Sequence, residues 1–291
     1  MRKVAAALVA CAALAVSAAD AAPLGVVAAE NFYGDIARQI GGDDVAVTSV
    51  LSRPDQDPHA FETNASTARR IADARLVIYN GAGYDPWAAK LLAASRSASR
   101  EIIEVATLVD ARPGDNPHIW YKPATIPALA RRLAQSLSTL DPAHRAQYSA
   151  RLAAFETSTK PFDHRIAALR AKYAGTAVTA TEPVFGYMAD AIGLRMRNAH
   201  FQLAVMNGTE PSATDIAGFE HDLRNRAVAA LIYNSQTSAA LAERMRTIAT
   251  KAGVPVVGVT ETAPAGATWQ TWMLSQLDAL DRALAGSGRR P

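Results

Sequence analysis

The sequence predicts an α/β protein of two lobes, each a mostly parallel four-stranded sheet flanked by helices. A long rigid helix joins the lobes, and a ligand cleft lies between them. Three observations carry this reading. Apolar, β-branched runs alternate with amphipathic helical patterns along the chain, which is the order of parallel sheets covered on both faces. The runs fall into two sets of about four. Between the sets lies a long Ala-, Leu- and Arg-rich stretch with apolar residues at helical spacing.

Taken in order, "LGVVAAE" (24–30) is a strand and "FYGDIARQIG" a helix. "DVAVTSVL" (44–51) is a strand and "NASTARRIADA" a helix. "RLVIYNG" (75–81) is the third strand, "PWAAKLLAASR" a helix, and "REIIEV" (100–105) the fourth strand. One helix covers 123–140 and a second, much longer one covers 142–173. Pro161 sits inside it, so a kink or break is expected there. The second set of strands is "TAVTATE" (176–182), "LRMRN" (194–198), "AVAALIYN" (227–234) and "VPVVGVT" (254–260), each flanked by an amphipathic helix. In "NGTEPSATD" (207–215), Pro211 or Ser212 starts a helix with Asp215 near its first turn. The expected division is a signal peptide over 1–21, an amino-terminal lobe over 22–140, a connecting helix over 141–173 and a carboxyl-terminal lobe over 174–291.

The opening "MRKVAAALVACAALAVSAADAAP" joins a short positive start to an apolar run and an Ala19-Asp20-Ala21 cleavage pattern. The run is shorter than the ~20 residues that span a bilayer, so a cleaved secretory signal is expected rather than an anchor. "LVAC" would allow a lipid-modified Cys11, but the apolar stretch before it is very short. Cleavage near Ala22 removes Cys11, the only cysteine, and with it disulfides, thiolate metal sites and cysteine catalysis. It also removes Arg2, Lys3 and Asp20, leaving a formal charge of +2. Nothing in that balance argues for nucleic acid or an anionic membrane as partner. The expected compartment is the periplasm.

Parallel sheets linked by right-handed crossovers put their strand carboxyl ends on one edge, where ligands bind. Four metal-capable residues follow strands on that edge: His59 in "PDQDPHAFE", His118 in "DNPHIWY", Glu182 in "TATEPVFGYM" and Glu261 in "GVTETAP". Two come from each lobe, and together they suit a metal site of two imidazoles and two carboxylates. Proline stiffens the turn in front of each histidine, so little entropy remains to be lost on binding. Asp57 and Asp115 are close enough in sequence to accept a ring N–H.

Each residue also has a plainer role open to it. The histidines could bond backbone in their turns, Glu182 could cap a helix starting near Pro183, and Glu261 could be an exposed loop acid. His200, in a loop of "RNAHFQ", is the rival ligand, expected at the rim. His144, His164 and His221 fall on helices and are expected to be solvated. "YNSQ" (233–236) ends a strand and lines the cleft without binding metal. No HExxH, GxSxG or phosphate-loop lysine motif occurs.

"DPHAFE", "ADARLVIYNGAGYDPW", "NPHIWY", "TEPVFGYMADAIGL", "TEPS" and "PVVGVTET…WQTWMLSQLDAL", in that order, resemble the metal-binding solute receptors of bacterial ABC importers for zinc, manganese or iron. The resemblance covers nearly all of the chain after the signal. It implies two α/β lobes on a rigid helix and ligands at His59, His118, Glu182 and Glu261. It also implies a divalent transition metal (manganese, zinc or iron) as cargo, and a membrane permease with its ATPase as partners of a monomeric receptor. The segment before His118 lacks the histidine-rich loop of many zinc receptors. Glu182 matches the glutamate of manganese receptors, Glu261 replaces a usual aspartate, and Asp85, read as structural, stands where glutamate is usual. A periplasmic metal chaperone and a cleft metallohydrolase are the alternatives. The hydrolase needs an open coordination position and a general base.

Overall fold

The computed structural model describes residues 22–53, 61–237 and 239–287. The first sheet contains β1 (Leu24–Glu30), β2 (Val45–Leu51), β3 (Leu76–Tyr79) and β4 (Glu101–Glu104), in the order β2-β1-β3-β4. The second contains β5 (Ala177–Ala180), β6 (Arg195–Arg197), β7 (Leu231–Asn234) and β8 (Val256–Val259), in the order β6-β5-β7-β8. All six pairings are parallel, and the two sheets repeat one topology. All eight expected strands are therefore present. Most are shorter than their apolar runs, because their ends turn into loops. The run at 227–234, for example, touches the sheet at Ala229, whose N–H donates to Ala177 O (2.8 Å), and becomes regular only at Leu231.

The first half carries α1 (Asn31–Gly41), α2 (Ala65–Asp73) and α3 (Pro86–Ala94). α4 (Thr125–Leu140) and α5 (Arg145–Tyr173) follow, then α6 (Gly186–Ile192), α7 (Ala199–Met206), α8 (Ala213–Arg224), α9 (Ala240–Ala252) and α10 (Trp269–Gly286). Three of their starts carry side-chain caps. Asn64 accepts from Thr67 N (3.0 Å), Ser212 accepts from Asp215 N (3.1 Å), and Thr268 and Thr271 form a reciprocal box. The helix expected at Pro211 or Ser212 thus begins at Ala213 on a Ser212 cap. α1 buries Phe32, Tyr33, Ile36, Ala37 and Ile40, one face at helical spacing. Each of its large apolar side chains contributes roughly 1.5–3 kcal/mol through burial.

α5 runs unbroken through Pro161, against the break or kink expected there. Proline removes the N–H that would bond Thr157 O, but packing outweighs that loss. Tyr148, Phe155, Thr159, Phe162, Leu169 and Tyr173 form one buried stripe along the helix, and α5 lies against α1, α4 and α10. No helix among the described residues is long and apolar enough to cross a membrane.

The lobes meet through an aromatic cluster. Phe32 of α1 lies 5.1 Å from Trp120 and 5.4 Å from Trp272 of α10, between ring centroids. Tyr121 lies 5.3 Å from Phe185 and 6.1 Å from Trp272. Residues of both sheets belong to the same apolar core.

Candidate metal site

The segment after β4 turns through Asn116-Pro117 and presents His118, which is fully buried. Asn116 Oδ1 lies 2.6 Å from His118 Nδ1 and also accepts from His118 N (3.1 Å). Asn116 Nδ2 donates to Pro183 O (2.7 Å) in the other lobe, so its oxygen must be the atom facing the ring. The acceptor requires Nδ1 to carry a proton, so in the neutral ring the lone pair sits on Nε2, the nitrogen that faces Glu261. Nε2 makes no hydrogen bond and stands 3.4 Å from Glu261 Oε2. Trp120 and Tyr84 pack on the ring, with centroids 5.2 and 6.0 Å away, and keep water from it.

Glu261 follows β8 and is fully buried. Its Oε2 accepts from Tyr84 OH (2.9 Å), which crosses from the first lobe, and its Oε1 accepts from Asn234 Nδ2 (2.5 Å). Its backbone N–H donates to Gln236 Oε1 (2.5 Å). Glu182 follows β5, is 7% exposed, and accepts from the same Asn234 Nδ2 at 3.3 Å. It precedes the short helical turn Pro183–Phe185 but its carboxylate makes no capping bond there. Helix capping therefore does not account for Glu182, nor solvent exposure for Glu261.

Tyr84 is aimed across the cleft by the turn "NGAG". Gly81 (φ 76°), Ala82 (φ 52°) and Gly83 (φ 85°) are all left-handed. A Cβ on Gly81 would lie 2.5–3.0 Å from Glu104 and Ala106, so the first of these positions also needs glycine for space. The Asp85 carboxylate ties the turn by accepting from Asn80 N (2.6 Å) and Gly81 N (2.8 Å). Asp85 is thus structural, as expected. Behind it lies Glu30, the last residue of β1, fully buried beside Asp85. Burial, then the Asp85 charge, pushes the Glu30 carboxyl well above its ordinary range. Burial also raises Asp85, to about 6, against its two backbone donors. Burial and the charges of Glu261 and Glu30 raise Tyr84, which keeps its phenol neutral and able to donate.

Three of the four expected ligands are therefore brought together where the loops of the two sheets meet: His118 stands against Glu261, and Asn234 links Glu261 to Glu182. Among the described residues no three His, Cys, Asp or Glu side chains stand together at metal-ligand spacing. His59, the fourth, and Asp57 lie outside the described residues. Asp115 does not serve the His118 ring. Its carboxylate accepts from Arg112 N (2.9 Å), and Asn116 takes the position because an Asx turn brings residue i, not i−1, back to the N–H of i+2. His200 lies in the first turn of α7 rather than in a loop, and is exposed. His164 and His221 are exposed, and His144 pairs with Asp141 at 2.6 Å. Sequence reasoning missed Tyr84, Asn116, Asn234 and Glu30. All four lay inside stretches it had quoted, Glu30 at the end of the first strand, Tyr84 in "ADARLVIYNGAGYDPW", Asn116 in "DNPHIWY" and Asn234 in "YNSQ", but none was given a role at the site.

The donor set suits a divalent cation. With the ring neutral, its buried Nε2 lone pair faces the buried Glu261 carboxylate, an arrangement that a metal ion between them would satisfy. The model of the periplasmic zinc-uptake complex component A family, ZnuA, matches residues 26–283. The chain is 29% identical over 158 residues to the manganese ABC transporter substrate-binding lipoprotein PsaA of Streptococcus mitis, covering 50% of this chain and 51% of that protein. It spans between about half and two thirds of the curated relatives it matches. Among solved structures it resembles the nickel complex of the binding protein FpvC from Pseudomonas aeruginosa. The TM-score is 0.74 at 20% identity, over 92% of this chain and 99% of that one. It also resembles a manganese-bound periplasmic metal-binding protein from Candidatus Liberibacter asiaticus. There the TM-score is 0.74 at 16% identity, over 89% of this chain and 98% of that one. At these identities the two structures establish the two-lobed fold.

Proposed function

This chain belongs to the periplasmic zinc-uptake component A family, and from that premise we propose that it captures a divalent transition metal in the periplasm and delivers it to the permease of an ABC importer. The observation that carries the reading is the His118 Nε2 atom, buried, without a hydrogen bond and 3.4 Å from Glu261 Oε2. His118, Glu182 and Glu261 supply three ligands and His59 the fourth, with manganese, zinc or iron as cargo. Four protein donors leave no open position for an activated water, which argues for a carrier and against a hydrolase. Residues 1–21 act as a cleaved signal, and the mature chain works as a monomer with an ATP-driven permease.

The test is a melting curve of protein purified after signal cleavage, stripped with chelator and then reloaded. A ligand bound only by the native state adds about 4 kcal/mol at a thousandfold excess over Kd. Metal should raise the melting temperature with one ion per chain. His118→Ala should abolish most of the shift. An identical curve with and without metal would remove the basis of the proposal.

A further inference from the structure

We propose that Tyr84, which is not a ligand, sets the spacing between two metal ligands from different lobes, His118 and Glu261, and so sets the affinity of the site; this rests on the metal-receptor reading above. His118 Nε2 and Glu261 Oε2 stand 3.4 Å apart, and both side chains are fully buried. Two donors about 2.0–2.2 Å from one ion, at bond angles of about 90–110°, are roughly 2.8–3.6 Å from each other. The pair therefore has the separation that a shared ion requires, whatever completes the shell.

With the ring neutral, the Nε2 lone pair and the carboxylate repel each other, so other groups must hold Oε2 in place. The turn after β3 does this. None of its residues, Asn80 to Asp85, is a candidate ligand. Asn80 Nδ2 donates to the carbonyl of Pro117 (2.9 Å), the residue before His118, and Asn80 Oδ1 accepts from Tyr33 OH (2.7 Å). Four residues on, Tyr84 OH donates to Glu261 Oε2 (2.9 Å). One short turn of the first lobe thus holds the backbone behind one ligand and the donor oxygen of the other. Tyr84 is 8% exposed, and its ring packs edge-on against Trp120 with centroids 4.8 Å apart, which fixes the direction of the hydroxyl. A carboxylate oxygen has two lone pairs, so Oε2 can accept the phenol proton with one and face Nε2 with the other. Asn234 Nδ2 holds Oε1 (2.5 Å), and the two donors together keep the carboxylate from rotating.

Removing the hydroxyl has two opposed effects. Oε2 becomes a stronger base, which favours metal, and it loses its fixed position, which does not. Loss of a group that orients a ligand costs about 10- to 100-fold in metal affinity, so position outweighs basicity.

The experiment compares mature, chelator-stripped wild type with Tyr84→Phe, which keeps the ring and removes the hydroxyl. Zinc dissociation constants come from competition with a chromophoric chelator, and the ligand field from visible absorption of the cobalt-loaded proteins. Tyr84→Phe should bind zinc about 10- to 100-fold more weakly and should shift the cobalt bands, because the carboxylate meets the ion differently. Zinc affinity within threefold of wild type would overturn the proposal. So would weaker binding with unchanged cobalt bands, the mark of lost packing alone. A crystal of zinc-loaded wild type decides the matter even if the variant misfolds. The Glu261 oxygen on zinc should keep Tyr84 OH within about 3 Å. A hydroxyl turned away from that oxygen would overturn the role of Tyr84 and leave the receptor reading standing. Wild type that binds neither zinc nor cobalt would overturn the receptor reading, and this inference with it.

Discussion

Asn116→Ala isolates the part of the site that orients an imidazole. The substitution removes the acceptor for His118 Nδ1–H (2.6 Å) and His118 N (3.1 Å), and the donor to Pro183 O (2.7 Å). The ring is fully buried, so its N–H loses a partner that water cannot replace. One such orphaned group costs about 1–3 kcal/mol, and the variant should lose roughly 2 kcal/mol of apo stability. At about 2–4 °C per kcal/mol for a chain somewhat smaller than this one, that is a fall of roughly 4–8 °C in melting temperature. The metal should suffer separately. Without Asn116 the ring can carry its proton on Nε2, the nitrogen that faces Glu261, and affinity should fall about 10- to 100-fold. Asn116→Asp separates the two effects. It keeps the acceptor and makes the ring a stronger base, so affinity should recover to wild type or beyond. Its carboxylate would face Pro183 O without a proton to donate, so apo stability should stay low. The assay is chelator competition beside melting in excess chelator. Affinity within threefold of wild type in Asn116→Ala would refute the claim that Asn116 sets the tautomer.

Two further outcomes are expected. Glu30 and Asp85 both have folded pKa values above their unfolded ones, Asp85 at about 6. Their contribution is fully present below the unfolded values near pH 4 and is lost as pH rises through the folded ones. For Asp85 alone the loss is on the order of 3 kcal/mol, complete a little above pH 6. Glu30→Gln keeps a donor beside Asp85 and removes the buried acid. In urea unfolding of chelated protein it should lose less stability than wild type between about pH 5 and 8, and equal losses would refute the assignment. Metal titration separates the rival ligands: His200→Ala should stay within a few-fold of wild type, whereas Glu182→Ala should cost roughly tenfold or more. The opposite ranking would move the site to a third histidine.

The eight strands were legible because parallel strands covered on both faces read as continuous apolar runs, and their order followed from alternation with helices. The positions of Glu182 and Glu261 followed from the same pattern, since each sits at the end of such a run, whereas His118 lies well beyond β4 and was marked only by its Asn-Pro turn. What sequence could not deliver was the second layer of contacts. Whether Asp115 or Asn116 reaches the ring depends on one residue of turn geometry. Glu30 looks like any acid at a strand end, and its burial beside Asp85 comes from β1 lying next to β3, a long-range pairing. Asn234 is a neutral amide with no charge pattern to notice. Pro161 misled because local helix chemistry was weighed without the stripe from Tyr148 to Tyr173 that holds α5 in place.

The aromatic cluster between the lobes has a thermodynamic consequence. Separate lobes on a tether would melt in two steps, each with its own midpoint. Here Phe32, Trp120, Tyr121, Phe185 and Trp272 belong to one contiguous core, and Tyr121 OH lies across it within hydrogen-bond reach of Thr260 O (2.7 Å) and Gln276 Oε1 (2.6 Å), its one proton serving either acceptor. Neither half can unfold without baring the apolar face of the other, so the halves form one cooperative unit. On the receptor reading proposed above, a metal held among His118, Glu182 and Glu261 would then stabilise residues far from it in both sheets. In the reloading melt, the whole transition should move as a single step rather than splitting into a shifted and an unshifted part.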